Sequence, residues 1–444
     1  MNRSPERVSD LLYNYLRNKN ILPSQPKWEI KKSNLGGLGV FAKEDIPAGD
    51  IIFYDMPIVI GPRTTLNKPI CVVCYKECLL IRKWMINSSK EKEQYVDLYK
   101  YITPARVLCL NEDELNLVET LKSHFGDQHG FEVNMLSKKF ELDFSEKEKN
   151  YMLMCCRVMD ANAYEIDTAN DTYNCGVRGL YPLGSLCNHD CRPNIFHNFD
   201  KNHCMVVKAS VLIKKGEGIL NSYTRIMWGT LNRRLILART KHFKCSCTRC
   251  ADPTEFGSYI NALKCSNCKC GNVLPTDSLD LKSNWKCDLC QKEMGCVEIG
   301  RVLSLVGSIL GSFSDDDIEI MIKFLKTKLP LLVHDNHQSV LEIKCKIVFC
   351  LGHKHGSIKD IAEDMLILKE NYCLDILKVI DKLQLGYFKL RAFILYELYL
   401  TLTEKMRRRS NGITATDLKN VLNEVLITLK NDVSAPSEIL ELEV

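Results

Sequence analysis

No apolar run in this 444-residue chain reaches the roughly 18–20 residues that a membrane-crossing helix needs. The opening M-N-R-S-P-E-R-V-S-D carries no apolar core of the kind a secretory leader has, so the sequence predicts an intracellular protein, cytoplasmic, nuclear or both. Net charge is small as well. A formal excess of +5 over this length is too mild to predict nucleic-acid binding. No internal period repeats cleanly, so nothing in the sequence indicates a repeat solenoid. What the chain does have is cysteine. Its 22 thiols, in an intracellular setting, read as metal ligands and buried side chains rather than disulfides. The chain is too long for one small core and should form two or three domains.

Two stretches bend where ordinary helix or strand cannot. The first is G-L-Y-P-L-G-S-L-C-N-H-D-C-R-P-N (Gly179–Asn194), and the second is G-E-G-I-L-N-S-Y (Gly216–Tyr223). Pro193 removes a ladder donor and restricts Arg192, while Asn188 and Asn194 suit a compact turn. F-K-C-S-C-T-R-C follows, and nine cysteines crowd between Cys245 and Cys296. Cys245, Cys247 and Cys250 give three thiolates, one short of a closed tetrahedral site, so a fourth must come from elsewhere. Cys265 or Cys268 could supply it locally. Cys265 and Cys268, then Cys287 and Cys290 after eighteen residues, have the spacing of a zinc ribbon. Cys270 competes with Cys268 for a ligand place, and Cys296 reads as spare.

The remaining pattern supplies the frame. Val8, Leu11, Leu12, Tyr15 and Leu16 predict a short helix. W-E-I-K-K and the run Ile51–Ile60 predict strands on either side of a turn at Gly36, Gly37 and Gly39. C-V-V-C-Y-K-E-C offers Cys71, Cys74 and Cys78, a closed zinc site only if Cys109 returns to it. Helical spacing recurs between Asn111 and Cys156, with His124 and His129 read as surface residues. His203–Ala209 alternates as a half-buried strand, and Gly229–Thr240 predicts a basic amphipathic helix. From Arg301 the chain reads as helix after helix, with Cys345, Cys350 and Cys373 as core thiols. Lys405–Arg409 reads as a solvated helix end in preference to a nuclear signal, and S-E-I-L-E-L-E-V as a partly frayed terminus.

Taken in order, G-G-L-G-V-F-A-K-E-D-I-P-A-G-D (Gly36–Asp50), R-V-M-D-A-N-A-Y-E-I (Arg157–Ile166), N-H-D-C-R-P-N, Tyr223 and C-S-C-T-R-C resemble the motif blocks of SET-domain protein-lysine methyltransferases. The likeness is stronger to their SET-and-MYND branch, of the arthropod-specific type, with a degenerate MYND module at Cys71, Cys74 and Cys78. The resemblance implies an α+β fold: a split SET-domain β-fold, a zinc-binding post-SET region and a C-terminal all-helical, tetratricopeptide-like domain. It implies an N-terminal SET part over 1–60 and an insertion with the MYND remnant over 61–160. Core SET follows over 161–225, the post-SET region over 226–256, the ribbon over 257–299 and the helical domain over 300–444.

The same resemblance implies S-adenosyl-L-methionine and Zn2+ as cofactors. It assigns cofactor contacts to Leu38 (through its backbone), Gly39, Asn162, Ser185, Asn188, His189, Tyr223 and Phe243, and catalysis to Tyr223. Cys191 would complete the zinc site of Cys245, Cys247 and Cys250, while Cys265, Cys268, Cys287 and Cys290 hold a second ion. Blander readings compete: a helix N-cap for Asn162, a buried strand tyrosine for Tyr223, core or lysine channel for Tyr181. The chain departs from the family at Asp190, where serine is usual, and at Gly218, where glutamate is usual. Methyl transfer to an amine is in-line and geometry-sensitive, so alignment supplies much of the rate. A neighbouring sulfonium and a desolvated channel lower the lysine pKa without a strong base. The expected activity is lysine N-methylation of histone or non-histone proteins; the alternative is a catalytically weak SET-fold scaffold or transcriptional corepressor. Expected partners are a lysine-bearing protein substrate and further proteins on the helical domain. Neither nucleic acid nor membrane is expected, and the chain is expected to be a monomer.

Overall fold

The computed structural model describes residues 3–62, 102–123, 130–140, 143–166, 176–314, 316–353, 356–408 and 414–441. Cys71, Cys74, Cys78, His124 and His129 lie outside the described residues. The chain divides into two compact units. One comprises Met1–Asn188, Ile195–Leu220 and Leu429–Val444, the other His189–Asn194 and Asn221–Thr428.

The first unit opens with a helix, Pro5–Asn18. The Ser4 hydroxyl accepts the Arg7 N–H, and Pro5 stands in the first turn, where a missing donor does no harm. Val8, Leu12, Tyr15 and Leu16 share its buried face; a fully buried Val or Leu contributes about 1.5–3 kcal/mol. Strands β1 (Trp28–Lys32) and β2 (Leu38–Ala42) form an antiparallel hairpin with Trp28 opposite Ala42. Its turn needs glycine, because Gly36 and Gly37 have φ of +106° and +69°.

The run Ile51–Ile60, expected as one strand, is two. β3 (Ile51–Asp55) pairs with β8 (Met205–Ala209), which also pairs with β7 (Ile195–Phe199). β4 (Val59–Pro62) instead joins β6 (Val177–Leu180), itself paired with β5 (Tyr164–Ile166), in a separate sheet. Pro57 has no N–H to carry the ladder across. Pairing resumes when the Ile58 N–H donates to the Leu180 carbonyl at 2.8 Å.

Helices Glu112–Thr120, Gly130–Phe140 and Glu146–Asn162 complete this unit's framework. Reciprocal caps, Asn111 with Glu114 and Ser145 with Glu148, start the first and third. Trp28, Phe53, Leu117, Met152 and Leu180 meet in one core. Tyr181 belongs to that core: it is fully buried and its hydroxyl donates to the His203 carbonyl at 2.7 Å. Of the end expected to fray, residues 442–444 lie outside the described residues, and the stretch before them returns to this unit. The Val433 N–H donates to the Phe199 carbonyl at 2.8 Å, and Ile439 is buried on the short helix Ser437–Leu440.

In the second unit, helices Thr230–Thr240 and Thr248–Ala251 precede a small antiparallel sheet. It contains β9 (Leu263–Lys264), β10 (Asn272–Pro275), β11 (Trp285–Cys287) and β12 (Glu293–Met294), in the order β12-β11-β10-β9. Helices Cys296–Ser312, Ile318–Thr327, Gln338–Cys350, Glu363–Lys382, Lys389–Arg407 and Ala415–Leu429 follow. Cys350 and Cys373 are buried and Cys345 is half-buried. The basic end of Lys389–Arg407 is ion-paired rather than simply solvated: Lys405 meets Glu370, and Arg407 and Arg408 both meet Glu404.

Candidate catalytic residues and metal centres

In the first unit, a buried carboxylate fixes the backbone ahead of Asn188. Asp55 ends β3, is fully buried, and accepts N–H bonds from Leu183 at 2.8 Å and Gly184 at 2.9 Å. Burial pushes its carboxyl up to about 8, against the pull of these backbone donors. The bonds pin the 3-10 turn Gly184–Leu186, where the Ser185 hydroxyl donates to the Tyr181 carbonyl at 2.6 Å. Asn188 then reaches across to β2: its Nδ2 donates to the Leu38 carbonyl at 3.1 Å. A Cβ on Gly39 would stand 2.6 Å from that nitrogen, so only glycine allows the approach. Leu38, Gly39 and Asn188 are thus brought together. Asn162 is the last residue of Glu146–Asn162, its Nδ2 donating to the carbonyls of Lys122 at 2.6 Å and Val158 at 2.8 Å. The N-cap alternative therefore does not apply to it.

The second unit holds His189, Tyr223 and Phe243 as an aromatic group. The Asp190 N–H donates to the Asn221 carbonyl at 3.0 Å, and His189 bridges alongside Asn221. This sets the Tyr223 ring 5.2 Å from that of His189. Phe243 lies 5.7 Å from His189 and edge-on to Tyr223 at 6.5 Å. Tyr223 is half-buried and lies outside any strand, which removes the strand-tyrosine reading. Asp190, in the place of the usual serine, caps its own turn: its Oδ1 accepts the Arg192 N–H at 2.7 Å. Gly218 bridges Phe41 in the first unit, and a side chain there would come within 3.3 Å of Leu220.

Two sets of four thiols gather in the second unit. The sulfurs of Cys191, Cys245, Cys247 and Cys250 all lie within 4.8 Å of one another, as do those of Cys265, Cys268, Cys287 and Cys290. Within the first set, Cys191 is 3.5 Å from Cys250 and 3.9 Å from Cys245. Four sulfurs about 2.3 Å from a tetrahedral zinc stand about 3.8 Å apart, so these spacings suit the ion. In the second, Cys265–Cys290 is 3.6 Å and Cys268–Cys287 is 3.7 Å, which fits equally. Cys265 and Cys268 are thereby committed to the ribbon, and Cys270 is exposed beside it. Each ribbon knuckle turns through a left-handed residue after its second cysteine, Lys269 or Gln291, both at φ +61°. Backbone N–H groups of Gly271 and Cys290 point at Cys268 and Cys287 sulfurs, at 3.3 and 3.4 Å. Such donors favour the thiolate form that a metal requires.

A buried ion triad beside the first thiol set has no counterpart in the sequence reading. Arg233 and Arg249, both fully buried, meet Glu255 Oε2 at 2.7 and 2.8 Å. Burial pushes the Glu255 carboxyl up, but the two guanidiniums outweigh it and hold the group below its ordinary range. Arg233 also donates to Cys250 Sγ at 3.5 Å, and Arg249 to the carbonyls of Cys191, Ile226 and Trp228 at 2.9–3.1 Å. The helix Thr230–Thr240, expected to be amphipathic and basic, therefore buries two of its arginines, Arg233 and Arg234. Nothing in T-L-N-R-R-L-I-L distinguishes arginines that will be buried from arginines on a solvated face.

Known proteins share parts of this chain's sequence. Residues 37–224 match the SET domain model. The SET domain-containing protein SmydA-8, isoform A, of Drosophila melanogaster is 27% identical over 439 residues, covering 89% of this chain and 92% of its own. A histone-lysine N-methyltransferase of Arabidopsis thaliana, ASHR1, is 25% identical over 295 residues, 54% of this chain and 59% of that one. A crystal structure of the SET domain of LSMT bound to lysine and AdoHcy aligns over 93% of this chain and 99% of that one. Its identity is 13% and its TM-score 0.30, too low for that likeness to carry weight. The chain is thus similar to SET-domain proteins over residues 37–224 and, over 89% of its length, to SmydA-8 of Drosophila melanogaster.

Proposed function

We propose that this protein transfers a methyl group from S-adenosyl-L-methionine to lysine side chains of protein substrates, histone or non-histone. The observation that carries the reading is the placement of Tyr223. It falls at the end of the matched SET domain, half-buried against His189 and Phe243 and outside any strand. The methyltransferase name of the Arabidopsis relative supports the same reaction class. Leu38, Gly39, Asn162, Ser185, Asn188, His189 and Phe243 are the residues assigned to the cofactor by resemblance. When bound, that cofactor supplies an electrophilic methyl group on a sulfonium centre. The chain's own part is alignment: the Tyr223 hydroxyl orients the incoming neutral amine, and the Cys191 thiol set, with zinc, clamps the N-H-D-C turn to Cys245–Cys250.

The test is transfer of labelled methyl groups by metal-loaded protein to a panel of histone and non-histone proteins. Label should appear on lysine and fall by roughly a hundredfold in Tyr223→Phe, the scale of loss expected from a misaligned in-line transfer. Undiminished label in the variant removes the role given to Tyr223. No label on any protein favours the scaffold or corepressor reading.

A further inference from the structure

The imidazole of His189 makes two hydrogen bonds that cannot be exchanged for one another. Its Nδ1 accepts the Tyr223 N–H at 3.0 Å, and its Nε2 stands 3.2 Å from Cys191 Sγ. An accepting Nδ1 leaves the ring proton on Nε2, so the ring donates to sulfur. A metal-bound thiolate is the acceptor that this N–H calls for, and outer N–H···S donors tune the ligand they touch. The ring is buried and packs against both Tyr223 and Phe243, so it has little freedom to rotate away.

A second tie runs parallel to the first. Arg249, between Cys247 and Cys250 in the chain, donates to the carbonyls of Cys191 and of Ile226, three residues past Tyr223. The backbone on both sides of the thiol set is therefore joined to the Tyr223 segment, once through an imidazole and once through a guanidinium.

We propose that His189 is a positioning residue whose side chain ties the Tyr223 main chain to the metal-bound Cys191 thiolate. Metal at the Cys191 set then determines where Tyr223 sits. The inference rests on the methyltransferase reading for its consequence in catalysis, but the tie itself is a property of the folded chain.

Two variants separate the two ends of the ring. His189→Asn keeps an acceptor near the place of Nδ1 and removes the donor to sulfur. His189→Gln keeps a donor near the place of Nε2 and removes the acceptor for Tyr223. Two readouts are taken on the metal-loaded full chain: hydrogen exchange at the Tyr223 amide, and the rates at which a colorimetric chelator draws zinc from its two sites. The ribbon site serves as the internal control for folding. In His189→Asn, zinc should leave the Cys191 set about tenfold faster, with Tyr223 still protected. In His189→Gln, zinc should leave at the native rate, while Tyr223 exchanges about tenfold faster and kcat falls more than KM changes. Chelation of native protein should by itself release the Tyr223 amide. Native behaviour of both variants on both readouts overturns the proposal, as does equal loss of both readouts in both variants with the ribbon intact. The exchange and chelation readouts need no methyl transfer. An inactive protein that shows the split keeps the tie and loses the enzyme, and an active one without the split does the reverse.

Discussion

Glu255 carries two guanidiniums on one carboxylate, with no exposure to water at any of the three. It reaches that place through an unusual backbone: Glu255 and Phe256 have φ of +48° and +61°, held by Asp252, whose Oδ2 accepts the Phe256 N–H at 2.7 Å. Left-handed conformation is costly for such side chains, so the loop is built to deliver the carboxylate. Replacing Glu255 by Gln leaves two buried cations facing each other. Chemical denaturation of metal-loaded protein should show a loss on the order of 3–5 kcal/mol, and an unchanged midpoint would show that the triad is not held as described. Nothing in A-D-P-T-E-F-G announced this. A sequence reveals charge but not depth, and the surface reading is the default for a lone Glu. Asn188 was legible for the opposite reason: N-H-D-C-R-P-N is dense enough in turn-forming and polar residues to stand out locally.

At the scale of elements, the ribbon was readable because its geometry is local. Each C-x2-C pair closes on itself through one knuckle, and β10 and β11 bring the two knuckles together. Gly271 belongs to that closure: a Cβ there would lie 2.3 Å from Cys287 Sγ. Gly271→Ala should therefore displace Cys287 and lower the zinc content by one ion per chain, by atomic absorption against protein concentration. An unchanged zinc content would mean that the ribbon tolerates the methyl or that its four sulfurs are not the ligands. The Cys191 set was not readable from spacing. Cys191 stands 54 residues before Cys245 in the chain, and only the resemblance pointed to it over Cys265 or Cys268. The run Ile51–Ile60 has the composition of one strand, but Pro57 inside it is the physical signal for the break between β3 and β4.

For the whole molecule, the unit boundaries cut across the sequence order. His189–Asn194 is counted with the second unit although the residues on either side belong to the first, and the chain returns to the first unit at Leu429. A reading that proceeds along the chain draws domains as consecutive blocks, and hydrogen bonds such as Val433 to Phe199 have no periodicity to betray them. The order of motifs nevertheless carried the resemblance to SET-domain proteins, because the five blocks keep their sequence whatever the units do. The account depends most on the donor that this SET fold is proposed to use. Calorimetric titration of folded, zinc-loaded protein with S-adenosyl-L-methionine measures that directly. The account predicts saturable binding at one site per chain, retained in Tyr223→Phe; an absence of binding by protein shown to be folded and carrying both zinc ions would contradict it.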